Sequence, residues 1–259
     1  MQLTMTGRTA LITGGSLGIG RAIAARFLEA GAGVALVARR REVLEEARAA
    51  LLSAGHAGPL IAVAADISSI EGCSRAFGEA ERQLGKIDVV VNNAGQSMRG
   101  NFLEVTDEMW SDDIDLKLMA AVRLARFAMP GMIQRRWGRI INILNTGAKA
   151  PPAAGAPTAV TRAAGLALTK VLAGEGAKHN VLVNALLVGR IESDQWVRRA
   201  EAEGKSLADY YADMGRMVPM GRVGTSEEFA NAACFLASDA GSYITGTAIN
   251  VDGGLCPVV

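Results

Sequence analysis

Cysteine is scarce in this 259-residue chain: Cys73, Cys234 and Cys256 stand far apart, with no CxxC pair. That pattern excludes a disulfide framework and a cysteine metal site, and it predicts free thiols in a reducing compartment. Net charge is nearly absent as well, at +1, so nothing electrostatic argues for nucleic acid or an anionic membrane as a partner. There is no long uncharged apolar run and no leader-like start, which makes a cytoplasmic location the expectation. Linkers, repeats and low-complexity tracts are also missing, so one domain is expected over 1–259. What is present is a substantial apolar fraction, 50% of residues against 20% charged, as in a globular chain with a sizeable core.

The most informative stretch lies near the start. The apolar run Ala10-Leu11-Ile12 leads into Thr13-Gly14-Gly15-Ser16-Leu17-Gly18-Ile19-Gly20. Behind it, Ile19, Ile23, Ala24, Phe27 and Leu28 recur at helical spacing. Strand, glycine turn and helix follow one another. Glycines allow a tight turn and close approach of a ligand, and the helix start offers free N–H groups and a partial positive charge to a phosphate. An ordinary glycine-rich turn is the alternative, because such a motif alone is weak evidence for a dinucleotide site.

The rest of the chain alternates strands and helices. Expected strands are Val34–Ala38, Leu60–Ala64, Ile87–Val91, Arg139–Leu144, Val181–Leu186 and Ala248–Val251. Arg39-Arg40-Arg41 ends the second strand and a helix runs on to about Ala54, Ser68 and Glu71 form an expected capping box, and one long helix covers Thr106–Gln134 with a kink at Pro130. Another helix spans Pro157–Lys178, a polar, irregular segment occupies 189–218, and Thr225 with Glu228 caps a further helix. Strands apolar on both faces and separated by helices predict an α/β fold, a doubly wound parallel sheet of about seven strands covered on both sides.

In such a sheet the ligand lies at the carboxyl ends of the strands. The residues expected there are Gly14, Ser16, Leu17, Gly18, Ile19 and Gly20 after the first strand, and Arg39 and Arg40 after the second. Asp66 follows the third, as an adenine contact or a turn residue, and Asn92-Asn93-Ala94-Gly95 the fourth, where small residues let a ribose approach. An acid after the second strand would bond the ribose 2′-OH of NAD, and an arginine would receive the 2′-phosphate of NADP. Ala38-Arg39-Arg40 therefore favours NADP, with NAD possible.

These pieces, together with Gly138–Ile143, Val183-Asn184-Ala185, Pro219-Met220-Gly221-Arg222 and Val251-Asp252-Gly253-Gly254, resemble the short-chain dehydrogenase/reductase family over essentially the whole chain. Its general look is that of the 3-oxoacyl-carrier-protein reductases. The resemblance implies a Rossmann-type fold, a nicotinamide cofactor, a small-molecule carbonyl or alcohol substrate, and often a homotetramer built through the long helices and the last strand. Ile67, Gly189, Ile191 and Ser193 complete the set expected around the cofactor. Leu17 stands where NADP-preferring members often carry a basic residue, and Val188-Gly189 where the family usually shows Pro-Gly.

The family also implies an active-site quartet of Asn, Ser, Tyr and Lys, and this chain departs from it at all four positions. By local spacing the serine position holds Asn145, the tyrosine Thr158, the lysine Arg162 and the asparagine Lys117. Thr158 and Arg162 keep the i, i+4 spacing that puts both on one helix face. Arginine can still bond ribose hydroxyls but passes no proton on, and threonine is too weak an acid to replace a tuned phenol. Asn145 can donate to a developing oxyanion. Lys117 is the new titratable group; a helix-surface lysine reaching into water is the favoured reading, a buried lysine of depressed pKa the other. Lys149, Tyr210 and Tyr211 lie in segments that could reach the pocket, and Ser193–Met217, with Trp196, resembles a lid. Two functions follow: an oxidoreductase with an atypical proton donor, or a catalytically silent cofactor-binding protein with a regulatory or scaffolding role.

Overall fold

The structure is a computed structural model, and it describes residues 3–55 and 58–259. In chain order its elements are β1 (Thr9–Thr13), α1 (Gly18–Glu29), β2 (Gly33–Ala38), α2 (Arg41–Ser53), β3 (Leu60–Ala64), α3 (Ile70–Leu84) and β4 (Val89–Asn92). They continue with β5 (Arg99–Gly100), α4 (Asp107–Ile114), α5 (Ala120–Arg135), β6 (Gly138–Asn145), β7 (Ala156–Pro157), α6 (Thr158–Gly176) and β8 (Val181–Val188). α7 (Asp194–Ala202), α8 (Leu207–Gly215), α9 (Ser226–Ala237) and β9 (Ala248–Val251) follow.

Seven strands form one parallel sheet in the order β3-β2-β1-β4-β6-β8-β9. The order reverses between β1 and β4, and a crevice opens at the carboxyl ends of those strands. Side chains along a strand alternate between faces. In β1, Ala10 and Ile12 join the core under α1, α2 and α9, whereas Leu11 joins the core under α3 and α5. β2 and β4 divide in the same way, which is why the central positions of these strands are apolar on both faces. Each fully buried Leu, Ile or Phe contributes roughly 1.5–3 kcal/mol.

A buried polar ladder ties α6 to the sheet. Asn92 Nδ2 donates to Asn142 Oδ1 (2.8 Å), Asn142 Nδ2 to Thr169 Oγ1 (2.9 Å), and Thr169 Oγ1 to the Gly165 carbonyl (2.8 Å). Gly165 lets the helix lie close to Leu144, because a Cβ there would come within 2.8 Å of its side chain.

Four expectations change. The helix after β3 is capped by Ser69, whose Oγ accepts from Gly72 N at 3.0 Å, while Ser68 turns back to Asp66. The long helix is interrupted at Asp115–Met119 by a π-helical turn, not at Pro130, which sits inside α5. An extra residue in the turn redirects side chains. The segment 189–218 is not irregular, since α7 and α8 occupy most of it. The helix expected to Lys178 ends at Gly176, and a 3₁₀ turn follows. The Thr225/Glu228 capping box forms as expected. Among the described residues, no helix is long and apolar enough to cross a membrane.

Candidate active site

A cleft of about 860 Å³ opens along the carboxyl edge of the sheet. Gly14, Ser16 to Gly20, Arg39, Arg40, Asp66, Ile67, Asn93 to Gly95, Gly189, Ile191 and Ser193 lie on its wall, whereas Asn92 is buried in the ladder to Asn142.

The glycine turn fits a phosphate by its own geometry. Gly14 and Gly18 have φ of 65° and 50°, a region costly for residues with a Cβ. A Cβ at Gly14 would lie 2.8 Å from Asn93 Nδ2, and one at Gly20 would run into the Gly14 carbonyl oxygen. α1 begins after Leu17 without any side-chain cap, so its first N–H groups are free for an anion. β4 braces the turn: Thr13 Oγ1 accepts from Asn93 N and Ala94 N, both at 3.0 Å, and Asn93 Nδ2 donates to the Thr13 carbonyl at 2.9 Å. The Asn93 amide therefore holds the loop, and the cradle is left for a ligand.

At the next strand ends, Arg39 and Arg40 are exposed and have no carboxylate within ion-pair distance among the described residues. Asp66 accepts from Ser68 N at 3.0 Å and Ser68 Oγ at 2.8 Å. Those bonds, the backbone one foremost, hold its carboxyl below the usual range, with Arg39 adding to the effect. Gly189 packs on Asp252, leaving no room for a Cβ.

Arg162 reaches from α6 to the centre of the cleft. Its Nη1 donates to the Ile143 carbonyl at 2.7 Å, and its buried Nε has no partner among the described residues. Burial lowers its pKa to about 10, with Asp113 acting in the opposite direction. Gly95 makes room for it, since a Cβ there would come within 2.6 Å of the guanidinium. Asn145, at the end of β6, also lines the cleft, and its buried Oδ1 is unpaired.

Lys117 corrects the favoured expectation. It is not a surface residue: its side chain is 1% exposed, ion-paired to Asp113 one helical turn earlier. It does not line the cleft. The π-helical turn carries it inward, and its Nζ donates to Thr158 Oγ1 at 2.7 Å. Burial and the charges of Arg162 and Arg99 pull its pKa down to about 8, against the Asp113 carboxylate. Thr158, only 2% exposed, is bonded on every side. Its Oγ1 accepts from Met98 N at 3.0 Å and donates to the Met98 carbonyl at 2.7 Å, with Asp113 Oδ1 at 3.1 Å. The structure thus brings Lys117, Thr158 and Arg162 together in one knot.

Asp113 and the Met98 backbone were not anticipated, although the i, i+4 spacing of Asp113 and Lys117 was a readable signal. Lys149 is drawn away to the Ala248 carbonyl at 2.9 Å. Tyr210 and Tyr211 sit on α8 outside the cleft wall, whereas Trp196 of α7 is part of it.

Sheet, turn and cleft define a nicotinamide-type α/β oxidoreductase, and comparison with known proteins gives the family. A family model described as enoyl-(acyl carrier protein) reductase matches residues 14–256. The chain is 35% identical to the 3-oxoacyl-(acyl-carrier-protein) reductase of Escherichia coli, over 98% of this chain and 99% of that protein. L-sorbose reductase of Gluconobacter frateurii, solved with NADPH and L-sorbose, superimposes with a TM-score of 0.95 at 34% identity, covering 100% of both chains. An NADPH-bound short-chain oxidoreductase of Pseudomonas aeruginosa, described as containing an atypical catalytic center, gives 0.92 at 36% identity, covering 99% of each chain. This chain belongs to the short-chain dehydrogenase/reductase family.

Proposed function

We propose that the protein is an NADP(H)-dependent oxidoreductase acting on a carbonyl/alcohol pair, with Lys117 acting through Thr158 as its atypical proton donor. The contact that carries this reading is Lys117 Nζ to Thr158 Oγ1 at 2.7 Å, between a buried ammonium and the hydroxyl at the family's tyrosine position. NADPH, when bound, supplies the hydride. The free N–H groups of the glycine turn would hold its diphosphate, Arg39 and Arg40 its 2′-phosphate, and Arg162 its nicotinamide ribose. NADPH-bound relatives support the same cofactor.

The carbonyl oxygen gains negative charge as the substrate is reduced. Asn145 and the Arg162 guanidinium stabilise it as donors in a partly water-excluded site. Thr158 turns its O–H from the Met98 carbonyl to the alkoxide and takes a replacement proton from Lys117. The lysine is left neutral, facing Asp113. A pKa of about 8 suits a donor working near neutral pH.

The second reading, a silent cofactor-binding protein, draws on the same hydroxyl. Thr158 already uses its one donor and its acceptor sites within the protein. Fluorescence titration of NADPH and its oxidation by a panel of ketones and aldehydes separate the two readings. Turnover that disappears in Lys117→Met with NADPH affinity retained supports the first. Tight NADPH binding without turnover on any carbonyl supports the second.

We also propose one domain whose 189–218 segment covers the substrate, and a homotetramer. The exposed apolar residues Ile114, Val160 and Val171 on the helices and Val258 in the tail support assembly. A monomer by light scattering at micromolar concentration refutes it. The proposed location is the cytoplasm, in keeping with three unpaired thiols.

A further inference from the structure

Charge is distributed unevenly along the cleft. Seven arginines and two aspartates line it. Arg39 and Arg40 stand at the adenosine end and Arg162 at the centre. The other four, Arg99, Arg190, Arg198 and Arg199, gather beyond Thr158, on β5, after β8 and on α7. Arg99 is paired in the short β5–β7 ladder with Pro157, the neighbour of Thr158. This end of the cleft is therefore next to the reacting position.

None of the four has a carboxylate within ion-pair distance, and none donates a side-chain hydrogen bond, among the described residues. The aspartate of that end, Asp194, is turned elsewhere: its Oδ2 lies 3.4 Å from where a Cβ on Gly18 would stand. The arginines also disfavour one another's charge, since Arg99 is held below the usual arginine range by burial and by Arg190 and Arg199. Two of them, Arg190 and Arg199, are nevertheless held in place. Trp196 is fixed by a hydrogen bond from its Nε1 to the Ile191 carbonyl at 2.9 Å. The guanidinium carbons of Arg190 and Arg199 lie 5.5 Å and 4.9 Å from its ring centroid, close enough for cation–π attraction. Guanidinium groups held over a ring by cation–π attraction keep N–H groups free for an oxyanion.

We infer that the substrate carries an anionic group, a carboxylate or a phosphate monoester, which Arg99, Arg190 and Arg199 bind while its carbonyl lies at Thr158 and Arg162. The inference rests on the proposed oxidoreductase reading for the position of the carbonyl. An acidic carrier protein is a poorer fit, because these side chains face into a cleft and not across a convex surface.

The test uses para-carboxybenzaldehyde, para-formylphenyl phosphate and the uncharged methyl ester of the former. Binding to the full chain, with and without NADPH, is measured by calorimetry, and NADPH oxidation is followed separately. Wild type should bind at least one oxyanion probe about ten- to a hundred-fold more tightly than the ester, as charge-assisted bonds do. Added salt should reduce that preference. Arg190→Ala/Arg199→Ala should abolish it while changing ester binding and NADPH affinity by less than about two-fold, and Arg190→Lys/Arg199→Lys should restore part of it. The stronger of the two oxyanions identifies the headgroup. Equal binding of ester and anions, a preference that survives the double variant, absence of binding by both oxyanion probes, or response only to an acidic carrier protein overturns the inference. Because binding is read without turnover, a chain that prefers the anions but oxidises no NADPH refutes the enzyme reading alone. One that reduces acid, phosphate and ester with equal kcat/KM refutes this inference alone.

Discussion

The glycine turn and the Thr158 knot stand at opposite sides of one cleft and treat their polar atoms in opposite ways. At the turn, Asn93 donates to Thr13 Oγ1 and the Thr13 carbonyl and so braces the backbone, and the N–H groups of α1 remain open. Around Thr158 the donors turn inward to other protein groups: Lys117 to Asp113 and Thr158, and Thr158 to Met98. An open set of donors in a preformed cradle is what a ligand site needs. A closed set buried from water is what positions a loop and stores a proton. The arginines beyond Thr158 are again open, which places the knot between two receptive regions.

The sharpest way to break this contrast is Lys117→Met. It leaves Asp113 buried and unpaired, and should destabilise the fold by about 3–5 kcal/mol. Asp113→Leu/Lys117→Met should recover most of that loss in denaturant unfolding. A single variant as stable as wild type would show that the pair is not closed. The sign of the pH effect follows from the depressed pKa: in the proposed mechanism carbonyl reduction needs Lys117 protonated, so kcat should be flat below about pH 8 and fall above it. A profile unchanged by Lys117→Gln would rule the lysine out as donor.

Gly20→Ala probes the open side. Its Cβ meets backbone, the Gly14 carbonyl, so the turn must shift. A loss of about 1–3 kcal/mol in stability is expected, together with weakened NADPH binding by fluorescence titration. Unaltered binding would show that the turn is not the phosphate cradle. Arg39→Ala should lower NADPH affinity about ten-fold or more and leave NADH affinity unchanged, because it removes a charge-assisted bond to one phosphate. Equal losses for both cofactors would refute that placement. The smallest effect is expected outside both regions: Thr225→Ala removes the capping box of α9 at a cost of about 1 kcal/mol, with cofactor binding untouched.

Restoring the family residues sharpens the comparison from the other direction. Thr158 is enclosed beneath Met98, so Thr158→Tyr alone should overpack the site. Asn145→Ser/Thr158→Tyr/Arg162→Lys/Lys117→Asn empties the knot and should give the larger activity on generic ketones. A single Thr158→Tyr as active as the quadruple variant would show that the knot does not constrain this position.

Several features were determined by the sequence alone, because their physics is local. Apolar runs separated by helical patterns gave the seven strands of the sheet, and glycine followed by a helix start marked the turn. Thr225 and Glu228 formed the capping box between themselves. Arg39 was readable because a strand end fixes where its next residue lies. The family resemblance, carried over by local spacing, pointed to Asn145, Thr158 and Arg162, which all line the cleft. Tertiary structure alone decided the rest. Lys117 reads as a surface residue in any single-helix projection, and only a π-helical turn packed against α6 buries it on Thr158. Met98 contributes backbone atoms, which carry no side-chain signature. The four arginines beyond Thr158 come from three separate elements, and only the folded cleft places their charges together. Burial and charge proximity depend on contacts between distant segments, so residue types and spacing did not contain them.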